Sequence, residues 1–562
     1  MPFETRRAGS KKLEDQQVSS SANLAREKPA FIWSRGLALG ILCLGLVTVS
    51  VATDAPAPST ASVTTYHNEN SRDGANLQET TLTPTNVNSS GFGKLFNFPV
   101  DGVIDAQPLY LPNITIGGTA HNVLYTVTEN DSVYAIDADT GTQLWQVSAL
   151  EAGETPSGDF GCGQISPQIG ITSTPVIDLT SGANGTIYVV AMSTKSGNYI
   201  QRIHALDLTT GAEEFGGPTV IQATYPGAGG NSRSGSVVFD PKQYAERQGL
   251  LLLNHVVYLG WTSHCDQQPY TGWVMGYNES TLAQISVLNL TPNGSEGAIW
   301  QAGAGMAATS SNIFLLDANG TFDTTLNAKG FPSRGDFGNA FVRIATQGAN
   351  LKVADYFTMS NTVQESNADE DFGSGGALLL PPMKDSGGAT QALAVGAGKD
   401  SNIYIVDRMN MGKFNPNNDN AIYQEIDGAL PGGDWSMPAY FNGSLYFGPT
   451  QANLLQFIFS QAKLSTTPAS QSPTSFTYPG TTPSVSANGK NDAIVWAIEH
   501  TSTSVLHAYN ATNLAVELYN SNQAGSRDQF GSASHFGTPT IVNGKVYVGT
   551  TNSVAAFGLL GN

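Results

Sequence analysis

The sequence predicts an all-β chain of repeated four-stranded antiparallel sheets set radially as a β-propeller, and three observations predict it. Apolar runs are short, β-branched or aromatic and bounded by Gly, Asn, Asp or Pro, and no long segment repeats apolar residues at helical spacing. A Pro with Thr, Ser or Gln one or two residues before it and apolar residues after it recurs at "AQPLYLP" (106–112), "STPVIDL" (173–179), "SMPAYFNG" (436–443), "TTPSVSANG" (481–489) and "GTPTIVNG" (537–544). A Tyr-bearing strand and then a strand ending in an Asp or Asn turn follow, as in "VLYTVTENDSVYAIDADTGTQLW" (123–145) and, degraded, in "SVLHAYNATNLAVEL" (504–518). One such unit cannot cover both of its faces, so copies must stack.

Taken from the N-terminus, residues 1–52 read as a polar leader followed by a signal peptide or signal anchor. Seven Lys or Arg and four acids precede "GLALGILCLGLVTVSVA" (36–52), which is uncharged. Ser50 and Ala52 supply the small residues of a signal-peptidase site, and the long leader keeps an uncleaved anchor as the alternative. Residues 53–64 read as a Pro/Ser/Thr linker and 65–562 as the propeller. The chain is then exported to the periplasm or the exterior, possible tethering being through 36–52. The formal charge of −19 becomes about −22 once the leader is removed. So acidic a body repels phosphate backbones and excludes nucleic acid as a partner.

The repeat units fall near 105–146, 172–216, 235–290, 297–358, 370–427, 434–466, 480–520 and 537–558. "KLFNFPV" (94–100) completes the last unit, so that N- and C-terminal strands pair and no sheet edge stays open. This reading has eight blades; seven is the alternative, because the middle units carry long insertions. Proline cannot donate to a ladder, so each recurring Pro is placed at the first residue of an inner strand. Gln107, Thr174 and Thr538, just before those prolines, are expected to face the channel. In the corner "DADTG", Asp137 is expected to accept turn amides, Gly141 to supply a positive φ, and Trp145 to lie on the neighbouring blade.

"VYAIDADTGTQLW" (133–145) resembles the repeat of pyrroloquinoline-quinone (PQQ) propellers, the A-x-D-x-x-T-G-x-x-x-W corner. The wider pattern, "YHNENSRDGANLQETTLTPTNV" (66–87), "GITSTPVID", "SHCD" and "GSGGALLLPP", is similar to exported bacterial PQQ-repeat proteins over roughly residues 64–560. For an active member the resemblance implies PQQ and Ca²⁺ on the axis, a carboxylate and amide on the metal, a proton-accepting Asp, an Arg and a stacking Trp. Methanol-oxidising relatives add a disulfide between adjacent cysteines, and no Cys-Cys pair occurs in this chain. The family's ligand positions do not map residue by residue.

After Ala52 only Cys162 and Cys265 remain, which in an exported chain predicts one disulfide, with two buried thiols as the alternative. "WTSHCDQQPY" (261–270) is too polar for a core strand and places His264 and Asp266 as a candidate ligand loop, against the plainer reading of a structural corner. Trp261, Trp273, Trp300 and Trp435 read as packing residues before stacking ones. "LLDANGTFD" (315–323), with Asp317, Asn319 and Asp323, fails EF-hand spacing and reads as a turn, while "NADEDFG" (367–373) reads as a solvated loop. His204 and His507 occupy equivalent repeat positions. No GxSxG, HExxH, P-loop or GxGxxG signature is present. The expectation is a monomeric binding or scaffold propeller for a protein or carbohydrate ligand. The alternative is a PQQ- and Ca²⁺-dependent oxidoreductase of alcohols or sugars, and a polysaccharide hydrolase or lyase is a third reading. No catalytic residue is assigned.

Overall fold

The computed structural model describes residues 60–347 and 350–561. The leader, the signal or anchor segment and most of the linker lie outside the described residues. The remainder forms one unit of β-structure.

Among the described residues, ten sheets occur, and eight of them contain a four-strand antiparallel meander. Their inner strands are Leu109–Ile116, Val176–Asp178, Leu251–Leu253, Ala307–Thr309, Leu378–Leu379, Ala439–Phe441, Ser484–Asn488 and Thr540–Val542. We number the sheets one to eight in that order. The outer strand of the eighth is Phe92–Pro99, paired antiparallel with Ser553–Leu559. The recurring prolines sit one residue before their strands rather than at the first position: Pro108, Pro175, Pro438, Pro483 and Pro539 each end the entering loop. With no N–H to offer, they are spared the first ladder bond altogether.

Alternation along each strand sends apolar side chains to both faces. In the seventh sheet Ile494, Trp496 and Ile498 join a cluster with Val546 and Phe557 of the eighth, while Val495 and Ala497 join one with Tyr446 and Leu454 of the sixth. The same sharing links the second sheet to the third, the third to the fourth, the fourth to the fifth and the fifth to the sixth. A further cluster holds Tyr547 and Ala556 of the eighth with Leu124 and Ile136 of the first and Ile187 of the second. Both faces covered is why the strands read as near-continuous apolar runs. Each fully buried aliphatic side chain contributes roughly 1.5–3 kcal/mol.

The corners interlock neighbours. Asp137 accepts from the amides of Asp139 and Thr140 at 3.0 and 2.8 Å, and Asp207 from those of Thr209 and Thr210, both at 2.9 Å. Gly141 and Gly211 hold φ of +71° and +69°. A Cβ on Gly141 would lie 2.7 Å from Phe96 of the eighth sheet, and one on Gly211 2.9 Å from Trp145 of the first. The Trp145 indole N–H donates to the Leu208 carbonyl at 3.1 Å. Each corner glycine is thus the seat for the preceding sheet's outer aromatic.

Residues 63–79 carry the feature that periodicity could not announce. Val63 exchanges backbone bonds with Tyr110 of the first sheet, and Thr64 accepts from Ile177 of the second. The Asn70 amide donates to Leu252 of the third, and its carbonyl accepts from Ala308 of the fourth. Ser71, Asp73 and Gly74 accept from Leu379, Tyr440 and Val485 of the fifth, sixth and seventh. Asn76 ends the circuit on Ile541 of the eighth. The segment visits the eight inner strands in chain order. Ala61 and Val63 are buried, so the packed body begins inside the stretch read as linker, because Val63 is held in a two-way bond to Tyr110. Within the circuit Arg72 is fully buried and donates to Thr65 Oγ1, the Tyr66 carbonyl and the Met306 carbonyl. Burial pulls its pKa down to about 9, against the opposing pull of Tyr66 and Glu69. Gln107, Thr174 and Thr538 do face the axis, and what they meet there is this segment or one another. Gln107 accepts from the His67 amide at 2.8 Å and Thr538 lies 3.4 Å from the Tyr66 hydroxyl, while Thr174 accepts from the Gln107 amide.

Candidate functional site

The inner strands all begin at one end of the axis. The loops that enter them, with the turns between second and third strands, line a cavity of about 400 Å³ there. Entering loops bring Arg247 to it ahead of the third sheet, Trp300 ahead of the fourth, Asp369 and Asp371 ahead of the fifth, and Trp435, Tyr478 and Phe536 ahead of the sixth, seventh and eighth. Turns bring Asp266, Asn319 and Lys399 from the third, fourth and fifth sheets. Position in the repeat, not local sequence, brings them together.

One wall is a cluster of two carboxylates around one ammonium. Lys399 Nζ lies 2.5 Å from Asp369 and 2.6 Å from Asp371, and Asn319 donates to Asp369 at 2.6 Å. The loop "NADEDFG" is therefore not simply solvated: Asp371 is buried, because Lys399 compensates its charge. Behind it, Asp317 is fully buried and both its oxygens lack a partner, and burial raises its pKa well above the usual carboxylate range. Asp323 lies outside the cavity lining and accepts from Ser333 and Arg334.

The opposite wall is aromatic and holds Arg247. Its guanidinium sits 4.1 Å from the Phe536 ring centroid and 5.9 Å from that of Trp300. The residue is 5% exposed, and burial lowers its pKa. Among the described residues its side chain makes no hydrogen bond and no ion pair. Below it, burial and the neighbouring Asp105 push the Glu129 carboxyl well up. Burial likewise raises Asp434 to about 7.

Cys162 and Cys265 form a disulfide with Cα atoms 5.8 Å apart. It ties the loop between the first and second sheets to the turn of the third and sets Cys162 on the cavity rim. The two residues of the proposed ligand loop part company. Asp266 lines the cavity, and burial raises its pKa. His264 turns away, buried against Phe160 with ring centroids 4.3 Å apart. Of the tryptophans, Trp261 and Trp273 are fully buried packing residues, whereas Trp300 and Trp435 reach the cavity. His204 and His507 are not a pair: each bonds a carboxylate near its own outer strand, Glu213 and Glu517. Sequence reasoning missed Arg247, Lys399, Tyr478 and Phe536. The available signal for Arg247 was a cation in an acidic chain, four residues ahead of the apolar inner strand "LLL".

Among the described residues, no three His, Cys, Asp or Glu stand together as metal ligands. The carboxylates nearest to such a role, Asp369 and Asp371, are both committed to Lys399. The donor set therefore does not fit a Ca²⁺ cage. Arg247 lies over one face each of Phe536 and Trp300.

No family model matches the chain, and no curated protein matches it. Solved structures do. A quinohemoprotein alcohol dehydrogenase from Pseudomonas putida HK5 matches with TM-score 0.60 and 13% identity over 90% of this chain and 81% of its own. One from Comamonas testosteroni matches with TM-score 0.59 and 14% identity over 90% and 81%. A europium-containing methanol dehydrogenase matches with TM-score 0.60 and 11% identity over 89% and 98%. The repeated meanders and these matches agree that the chain is, in fold, a β-propeller resembling the quinoprotein dehydrogenases.

Proposed function

We propose that the chain is an exported, monomeric ligand-binding propeller: eight blades closed into one ring, with the axial cavity at the loop-rich end as its binding site. The reading of one closed ring is supported by core clusters that pass from each sheet to the next and from the eighth to the first. The observation that carries the binding reading is convergence. Side chains carried by the loops and turns of six sheets meet in one cavity around a buried guanidinium that makes no hydrogen bond among the described residues. Residues 63–79 fill the axis behind it, so a ligand enters from the loop end and stops there.

Titrating the full-length chain with a panel of sugars and peptides while following tryptophan emission tests this reading. A saturable change that Trp435→Phe reduces by half or more supports it. A response equal in wild type and variant locates binding elsewhere.

The second reading, a PQQ- and Ca²⁺-dependent oxidoreductase of alcohols or sugars, is favoured by the fold and by an Arg, a Trp and an amide meeting on the axis. Against it stand the missing metal cage and the missing adjacent cysteines. PQQ with Ca²⁺ and dye-linked alcohol oxidation is the deciding assay, and no turnover is expected.

A further inference from the structure

Resting on the reading of the axial cavity as a ligand site, we infer that its ligand is a carboxylate-bearing sugar, a uronic acid or the acidic end of a short oligosaccharide, with the carboxylate seated on Arg247. The inference starts from what the cavity lacks. Arg247 is 5% exposed and lines the cavity, and among the described residues its guanidinium makes no hydrogen bond: it lies over the ring faces of Phe536 and Trp300, with Asp105 and Glu129 within electrostatic reach but not bonded to it. Its N–H donors form a planar fork with no acceptor, and a buried charged donor left so is costly. Lys399 shows the contrast: two carboxylates already satisfy it, so it has no call on a ligand.

A carboxylate matches the fork with two parallel bonds. Phosphate offers similar oxygens but brings nearly a second negative charge into a cavity that already holds Asp266, Asp369 and Asp371. A monoanion avoids most of that repulsion. The remaining lining selects the body of the ligand. Asp266 and Asp369 are acceptors at the cavity wall, suited to hydroxyl donors. Trp435 and Tyr478, in edge contact at 5.9 Å, present apolar surface with polar tips, suited to the C–H face of a sugar ring. Acidic hydroxylated rings satisfy all three demands.

The test titrates the full-length chain with galacturonate, digalacturonate, galactose, galactose 6-phosphate and PQQ, reading tryptophan emission and heat. Acidic sugars are expected to bind at least ~10-fold tighter than galactose, with Arg247→Gln removing that advantage and Arg247→Lys restoring part of it. The gain is also expected to shrink as salt rises. Thermal melts of both variants establish that they fold. Galactose binding equally well, or Arg247→Gln without effect, overturns the inference while a Trp435-dependent response keeps the cavity reading. Tighter binding of the phosphosugar or of PQQ overturns the inference in favour of that ligand. No response to any probe overturns both.

Discussion

At the residue scale the Asp434 carboxyl shows how the axis is charged. Burial raises it to about 7, although Ser436 donates to it. A carboxyl whose folded pKa lies above its unfolded one contributes stability below the unfolded value, near 4, and loses it as pH rises towards 7. Asp434→Asn is therefore expected to raise the melting temperature at pH 8 by several degrees and to leave it nearly unchanged at pH 4, a difference that calorimetry at the two pH values reads directly. Gly141 illustrates a steric constraint instead. Alanine there meets both a positive φ and Phe96, so Gly141→Ala is expected to cost more than ~1 kcal/mol in denaturant unfolding. That constraint was legible from the Thr-Gly corner itself, because turn chemistry is local. The Asp434 shift was not, since it depends on burial created by other loops.

At the element scale, blade corners and entering prolines could be read from the sequence because each is a few contiguous residues with a fixed backbone task. Their register was off by one residue, since a proline can end a loop as readily as it starts a strand. The loops behaved differently. "WTSHCDQQPY" was identified for its polarity, and the structure splits it: Asp266 at the cavity, His264 packed on Phe160. Polarity alone does not say which side of a turn faces inward. The Cys162–Cys265 bridge ties this turn to a loop 103 residues earlier. Replacing both cysteines by serine is expected to weaken cavity binding several-fold and to lower the melting temperature as well, because the bridge closes a loop of 103 residues. Equal binding by the double variant would make the bridge a stability device alone.

At the scale of the whole molecule, the repeated sheets were visible from recurrence, but the cavity was not. Its lining comes from positions between 162 and 536 that share only their place in the repeat. The "YHNENSRDGANLQ" segment was visible as a motif, and its role was hidden because a strap that bonds to each sheet in turn has no periodicity of its own. Removing Arg72 tests that role. Arg72→Ala leaves the Thr65 hydroxyl and the Tyr66 and Met306 carbonyls without their donor on the axis, and a loss of roughly 3 kcal/mol or more in unfolding free energy is expected. The strap also dictates the order of events in the life of the chain. Its partners run from Tyr110 to Ile541, so an early stretch of the chain cannot complete its docking until the inner strand of the eighth sheet has been made. Until then the half-docked strap and the unpaired Phe92–Pro99 strand leave the fold incomplete. A chain cut short anywhere before Ser553–Leu559 leaves the Phe92–Pro99 edge exposed, recognisable to proteases and chaperones as unfinished.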